Sequence, residues 1–126
     1  MKIFKISFVA VAFLMMSFAV LSAISWKSET IDVGEIIQNK PKQITFEFKN
    51  TGKTDVLITS AQGSCGCTAT DYTKTPIKSG QSGSVTATYN AVAVGAFTKS
   101  VTVSTNIDEP KVLTLKGIVK AVEVAK

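Results

Sequence analysis

Two cysteines, Cys65 and Cys67, are the residues of this sequence best suited to do chemistry, and the chain has no others. A spacing of two places both side chains on the same face of an extended backbone. Gly66 lies between them, has no Cβ, and tolerates backbone conformations that other residues resist. The two sulfurs are therefore expected either to bond to each other or to face one shared target.

Three interpretations of this pair stay open. In the structural one, a disulfide closes a ring of about 3 residues, which contributes only about 1.6 kcal/mol of chain entropy and mainly stiffens the loop. In the redox one, an exposed and strained disulfide acts as an oxidant. In the third, two thiolates bind a metal, and the soft ion Cu(I) fits them best.

The supply of other ligands narrows the metal interpretation. The sequence has no histidine, and its three methionines all lie within the first 16 residues. A closed zinc site needs about four ligands, and Cys65, Cys67 and Asp71 are too few. No metal or other cofactor is therefore expected, and copper on Cys65 and Cys67 is the one alternative.

The cysteines belong to the stretch from Gly63 to Thr70, at the point where a predicted strand ends and a long connection begins. Gly63, Gly66 and Thr68 are the residues expected to shape this loop. The glycines supply backbone freedom there, as they do in tight turns.

The N-terminus has the pattern of a secretory leader. Lys2 and Lys5 precede an apolar run from Ile6 to Ile24 that only serines interrupt. Small residues at Ala23 and Ser25 predict cleavage close to that point, which gives a signal peptide over residues 1–25 and a domain over 26–126. The run is also near the length of a membrane span, so an uncleaved anchor is the alternative. In either case the domain is expected outside the cytoplasm, secreted, periplasmic or attached to the cell envelope.

The charge of the chain argues against a nucleic-acid partner. The net charge of +5 falls to +3 when Lys2 and Lys5 leave with the leader, and every cation is a lysine. Arginine supplies most bidentate phosphate contacts, and here it is absent. Single scattered lysines are typical of solvated strand faces and protected sheet edges.

Alternating apolar and polar residues predict a series of short strands. The predicted strands are residues 30–37, 43–50, 56–62, 84–91, 96–105 and 111–123. Residues 43–50 and 56–62 are expected to form a hairpin across a polar turn. Residues 69–83 are expected to be loop, with at most a short strand near Tyr72. Gly34 and Gly117 are expected at bulges or bends.

The fold class follows from these strands and their spacing. Outside the leader, no window has the period of an amphipathic helix. Short strands about 10 residues apart, with turn residues between them, favour an antiparallel β-sandwich. The prediction is a single immunoglobulin-like, all-β sandwich of about seven strands, held by its apolar core because two cysteines are too few for a disulfide scaffold.

Three segments carry a family resemblance. They run from Ile31 to Ile36, from Phe46 to Gly52 and from Ser64 to Thr68, and the last reads Ser-Cys-Gly-Cys-Thr. Together they resemble a bacterial family of secreted proteins of unknown function that carry a Cys-Gly-Cys-Thr signature. The resemblance covers most of residues 31–120.

This resemblance implies an immunoglobulin-like sandwich similar to the major-sperm-protein and ciliary or centrosomal domains, and it implies no activity. Two positions depart from the family pattern. Ser79 stands where a proline is usual, and Val33 where an aromatic residue is usual. Both departures concern turn shape and packing, and neither involves the cysteines.

Two classes of function remain. Without histidine the common nucleophile–base pairs are unavailable, so the protein is not expected to be an enzyme. The first class is a non-catalytic binding or structural module of the cell envelope, with a protein or other envelope component as partner. The second is a thiol module that uses Cys65 and Cys67 for redox exchange or Cu(I) binding. Buried, bonded sulfurs would favour the first class, and an exposed pair the second.

Overall fold

Eight β-strands form the part of the protein that the computed structural model describes, residues 23–122. The strands are β1 (Ile24–Trp26), β2 (Thr30–Ile37), β3 (Lys42–Asn50), β4 (Ile58–Gly63), β5 (Thr68–Tyr72), β6 (Ser82–Tyr89), β7 (Gly95–Thr105) and β8 (Lys111–Lys120). The predicted all-β class is confirmed, with eight strands in place of about seven. The predicted leader lies outside the described residues, except for its last three positions.

The strands form two four-stranded sheets that face each other. One sheet has the order β1-β3-β6-β5, and the other has the order β2-β8-β7-β4. All pairings are antiparallel except that of β2 with β8, which is parallel. Among residues 23–122 no helix is long and apolar enough to cross a membrane.

The core lies between the sheets and follows the alternation of the sequence. In β3 the buried side chains alternate with exposed ones, and the same pattern recurs in β6 and β8. Such a pattern forms because successive side chains of a strand point to opposite faces of its sheet. The largest fully buried side chains include Phe46, Val56, Val85, Val101, Val103, Leu113, Leu115 and Val119.

The predicted hairpin between residues 43–50 and 56–62 is wrong. β3 pairs with β1 and β6, whereas β4 pairs with β7 in the opposite sheet. The connection after Asn50 crosses between the sheets, and Val56 within it forms a bridge with Ile77 through backbone bonds of 2.9 and 2.7 Å. The apolar side chain of Val56 is thereby fully buried, which favours the crossing over a return beside β3.

The two glycines expected at irregular positions face each other. The register of β2 shifts between Asp32 and Glu35, and Gly34 there has a φ of 70°, so its predicted bulge is confirmed. Gly117 pairs regularly with Phe97 in β7 and lies opposite that bulge. A Cβ at Gly117 would lie 2.7 Å from the Gly34 carbonyl oxygen, so this position requires glycine for close approach and does not bulge.

Candidate functional site

The cysteine loop, residues 64–67, joins the two sheets at one side of the sandwich. It follows β4, an edge strand of one sheet, and precedes β5, an edge strand of the other. The loop therefore begins at a strand end, as the sequence predicted, but it returns at once into a strand. β5 occupies Thr68–Tyr72, a larger part of the expected loop than the short strand foreseen near Tyr72.

Cys65 and Cys67 form a disulfide within this loop, with their Cα atoms 5.3 Å apart. That separation falls in the usual range for bonded cysteines. Both residues are half-buried, while Ser64 and Gly66 beside them are exposed. The pair thus combines the bonding expected of a structural staple with part of the exposure expected of a working site.

Backbone hydrogen bonds hold the cysteine loop on both sides. Ser64 N donates to Ser100 O in β7 at 2.8 Å, and Ser100 N donates to the Ser64 hydroxyl at 3.1 Å. On the other side, Asn90 N donates to Cys67 O at 3.0 Å. Because the loop is tied to both β7 and the end of β6, the disulfide is fixed relative to both sheets.

Thr68, expected to shape the loop, is one of the buried polar residues, with 6% of its surface exposed. Its amide donates to Cys65 O at 3.3 Å, and its hydroxyl lies 3.9 Å from Cys67 Sγ. Asp71, the third potential metal ligand, lies in β5 with its carboxylate 3.5 Å from Lys74 Nζ. Within residues 23–122 no three side chains of His, Cys, Asp or Glu are grouped as a metal ion requires.

Gly63 and Gly66 differ sharply in the space around them. A Cβ at Gly63 would lie 2.8 Å from Thr68 O and 3.1 Å from Thr68 Cβ. At Gly66 no atom lies within 4 Å of such a Cβ, and its φ is not in the left-handed region. The approach of β4 to β5 therefore depends on glycine at position 63, whereas position 66 has room for a side chain.

We expect Gly63→Ala to lower the free energy of unfolding by about 1–3 kcal/mol, because the methyl group must push β5 away from β4. Gly66→Ala in the same loop is the matched control, expected to change stability by less than about 1 kcal/mol and in the stabilising direction. Urea unfolding of the oxidised proteins measures both. Equal effects at the two positions would contradict the close contact at Gly63.

Next to the cysteine loop, side chains of β5 close this side of the sandwich. The Thr70 hydroxyl donates to Ala61 O at 2.6 Å, and the Tyr72 hydroxyl donates to Thr59 O at 3.4 Å. Both acceptors lie on β4, so these two outer carbonyl groups of the edge strand already have partners. A further strand would have to displace these bonds to pair with β4 here.

The opposite side of the sandwich has an open edge that the sequence did not indicate. β1 pairs with β3 only between Phe48 and Asn50, and Lys27 N then donates to Glu47 O at 2.9 Å. Alternate residues of a strand direct their N–H and C=O groups to the same edge. Thr45 and Gln43 therefore present these groups where β1 has already ended, and among the described residues no strand pairs with them there.

A groove of about 410 Å³ lies beside this open edge. Its lining comprises Lys27, Ser28, Ile31, Thr45, Phe46 and Glu47. Ile31 belongs to β2 and Phe46 to β3, so the groove lies between the two sheets. We call the backbone of Gln43 and Thr45, together with this groove, the open edge of β3. No sequence signal could have found it, because it depends on which strands lie beside β3.

Comparisons with known proteins agree with this architecture. The family model described as "Protein of unknown function (DUF1573)" matches residues 24–119. No curated protein matches the chain at a significant level. The family match includes β1 and reaches almost to the end of β8.

Among solved structures, the ASH/PapD-like domain 7 of human CEP192 is similar, with a TM-score of 0.64, 14% identity, and coverage of 80% of this chain and 87% of that domain. A protein of unknown function from Porphyromonas gingivalis W83 has a TM-score of 0.66 and 16% identity over 81% of this chain. The VesB protease of Vibrio cholerae has a TM-score of 0.57 and 15% identity over 79% of this chain.

At these identities the similarity shows a shared fold alone. The chain spans 51% of the Porphyromonas gingivalis protein and 32% of VesB, so these larger proteins contain further parts that it does not match. The predicted likeness to centrosomal domains of the immunoglobulin type is confirmed as a fold. The Cys-Gly-Cys-Thr signature stays a prediction.

Proposed function

The chain belongs to the DUF1573 family of proteins of unknown function, and we propose that it is a non-catalytic binding module of the bacterial cell envelope. Its ligand is an extended polypeptide segment that adds as a strand to the open edge of β3. The observation that carries this proposal is the unpaired backbone of Gln43 and Thr45 beside a groove between the sheets. Added strands bind through main-chain hydrogen bonds, and side-chain pockets give them specificity.

The sheet edges at β4 and β2 are less suited to strand addition. The edge at β4 is closed by the hydroxyl groups of Thr70 and Tyr72. β2 carries the bulge at Gly34, and bulges are a common device against pairing at sheet edges. β3, in contrast, pairs with β6 in unbroken register from Lys42 to Lys49, so its free edge is regular.

The groove also indicates the chemistry of the ligand. The half-buried Ile31 supplies apolar surface inside it, above the fully buried Phe46, while Lys27 and Glu47 form an ion pair of 3.6 Å at its exposed rim. A strand that continues this sheet points alternate side chains into the groove. A segment with apolar residues at every second position therefore fits, whereas a phosphate backbone finds no cluster of cations here.

Two features of the sequence support the remaining parts of the proposal. The apolar N-terminal segment after Lys2 and Lys5 has the pattern of a leader, which supports a location outside the cytoplasm. The absence of histidine removes the common nucleophile–base pairs and supports a role without catalysis.

Site-specific photo-crosslinking in cells tests the binding edge. A photoreactive residue at Gln43, on the open edge of β3, is expected to give a protein adduct, whereas one at Lys116, exposed on β8 of the other sheet, is not. Thr45→Pro should reduce the adduct about tenfold, since it removes one backbone donor worth about 1.4 kcal/mol without touching a bond to β6. Thr45→Val keeps that donor and should leave the adduct unchanged.

The same experiment examines the thiol module, which the partial exposure of the bonded pair favours as a second function. Under the binding proposal, replacing both Cys65 and Cys67 with serine leaves the adduct at Gln43 in place. If the adduct is lost in the double serine variant but survives in Thr45→Pro, the binding function would be assigned to the cysteine loop instead. Equal adducts at Gln43 and Lys116 would overturn the open edge as the binding site.

A further inference from the structure

The short strand β1 is an integral part of the sandwich. Ala23 O, just before it, accepts hydrogen bonds from Thr51 N at 2.9 Å and from the Thr51 hydroxyl at 3.2 Å. Ile24 then pairs with Asn50, and Trp26 with Phe48. The backbone from Ala23 to Trp26 is thus bonded to the end of β3 and to the turn that follows it.

The side chains of β1 also pack against the rest of the sandwich. Ile24 is buried in the core with 6% of its surface exposed, and the Trp26 ring lies 4.8 Å from that of Phe48. A Cβ at Gly52 would lie only 2.8 Å from Ala23 Cβ, so the chain is closely packed at this point. The family match also begins at Ile24. Cleavage after Ser25 would remove Ile24 from the core and leave Asn50 without its strand partner.

The sequence offers a second cleavage position upstream. Signal peptidases require small residues in an A-x-A-like pattern after an apolar region of about 7–15 residues. Ala23-Ile24-Ser25 has this pattern, and so does Ser17-Phe18-Ala19. For a cut after Ala19 the apolar region is Ile6–Met16, within the usual length, whereas a cut after Ser25 extends it to Leu21, beyond that length.

We propose that the leader is removed by hydrolysis of the peptide bond between Ala19 and Val20, so that the mature protein keeps β1. Water adds across this bond, and it leaves a carboxylate on Ala19 and an amino group on Val20. The proposal rests on the location outside the cytoplasm given above. It replaces the boundary between residues 25 and 26 that the small residues alone predict.

Intact mass and N-terminal sequencing of the full-length protein, produced with its own leader and recovered from the cell envelope and periplasm, test the cleavage site. The expected N-terminus is Val20. An N-terminus at Trp26, or at any other residue, overturns the proposal while the location stands. Uncut protein in the envelope overturns it in favour of an anchor, and uncut protein confined to the cytoplasm overturns the location as well.

Two matched variants sharpen the test. Ala19→Leu places a large residue at the proposed cleavage position and is expected to leave most of the protein uncut. Ser25→Leu makes the same change on the exposed face of β1 and should be processed like the natural chain. The opposite result, with Ser25→Leu uncut and Ala19→Leu processed, would assign cleavage to Ser25.

Discussion

Replacing Phe46 with alanine is expected to lower the free energy of unfolding by about 3–5 kcal/mol. Phe46 lies in the middle of β3, pairs with Val85 of β6 and has no exposed surface. Its removal combines the lost transfer energy of the ring with a cavity between two sheets that cannot fully close. A domain of this size has about 5–15 kcal/mol of stability, so the loss is a large share of the total.

Urea unfolding followed by tryptophan fluorescence measures this change. Trp26 is the one tryptophan of the sequence and contacts Phe48 on the same strand pair, so its emission reports on the sandwich directly. Glu47→Ala on the exposed face of β3 is the matched control, expected to change stability by less than about 0.5 kcal/mol. A loss of under about 1 kcal/mol for Phe46→Ala would contradict the packing of β3 against the opposite sheet.

Replacing Asn50 with alanine is expected to cost about 3 kcal/mol, although the change removes no apolar contact. The Asn50 side chain is fully buried, and its Nδ2 donates to Ile77 O and Thr54 O, each at 2.8 Å. Its Oδ1 accepts from Gly52 N at 3.0 Å. Alanine leaves Gly52 N and Thr54 O without these partners and removes one of two donors from Ile77 O, which keeps its bond from Val56 N. The cost is about 1–3 kcal/mol for each group that water cannot reach.

Asn106→Ala is the control for this prediction. Asn106 also holds a turn, since its Oδ1 accepts from Leu57 N at 2.8 Å and its Nδ2 donates to Asp55 O at 3.3 Å. Because Asn106 is exposed, water can replace these bonds, and the expected loss is about 1 kcal/mol or less. The urea midpoints of the two variants measure these losses, provided that the dependence of the unfolding free energy on urea concentration is the same in both. Similar losses of stability in the two variants would mean that the burial of Asn50 does not determine how much its side chain stabilises the fold.

Asn50 lies at the boundary between a strand that the local sequence predicts and a connection that it does not predict. The alternation of Ile44, Phe46 and Phe48 with polar residues predicts β3 and its inward face, because a half-buried strand requires that pattern. The turn residues after Asn50 equally well continue into a hairpin or into a crossing between sheets. The choice is made by Val56 and Ile77, which are 21 positions apart in the sequence and meet only in the folded chain.

The candidate sites likewise depend partly on local sequence and partly on contacts between distant strands. The position of Cys65 and Cys67 at a strand end follows from local sequence, but their anchoring to Ser100 and Asn90 depends on strands far along the chain. Gly63 and Gly66 look alike in the sequence, and only the approach of Thr68 separates them. The open edge of β3 is a property of neighbouring strands, which no single stretch of residues can encode.

The parallel pairing of β2 with β8 has a mechanical consequence. The chain enters β2 at Thr30 and leaves β8 at Lys120, and in the register of this pair these residues lie at opposite ends. A pull on Thr30 against Lys120 therefore draws β2 and β8 in opposite directions along their length. The hydrogen bonds between them are strained together in shear and do not open one after another, as they would in a hairpin pulled from its open end. The β2–β8 pair is thus suited to resist a pull between these two residues.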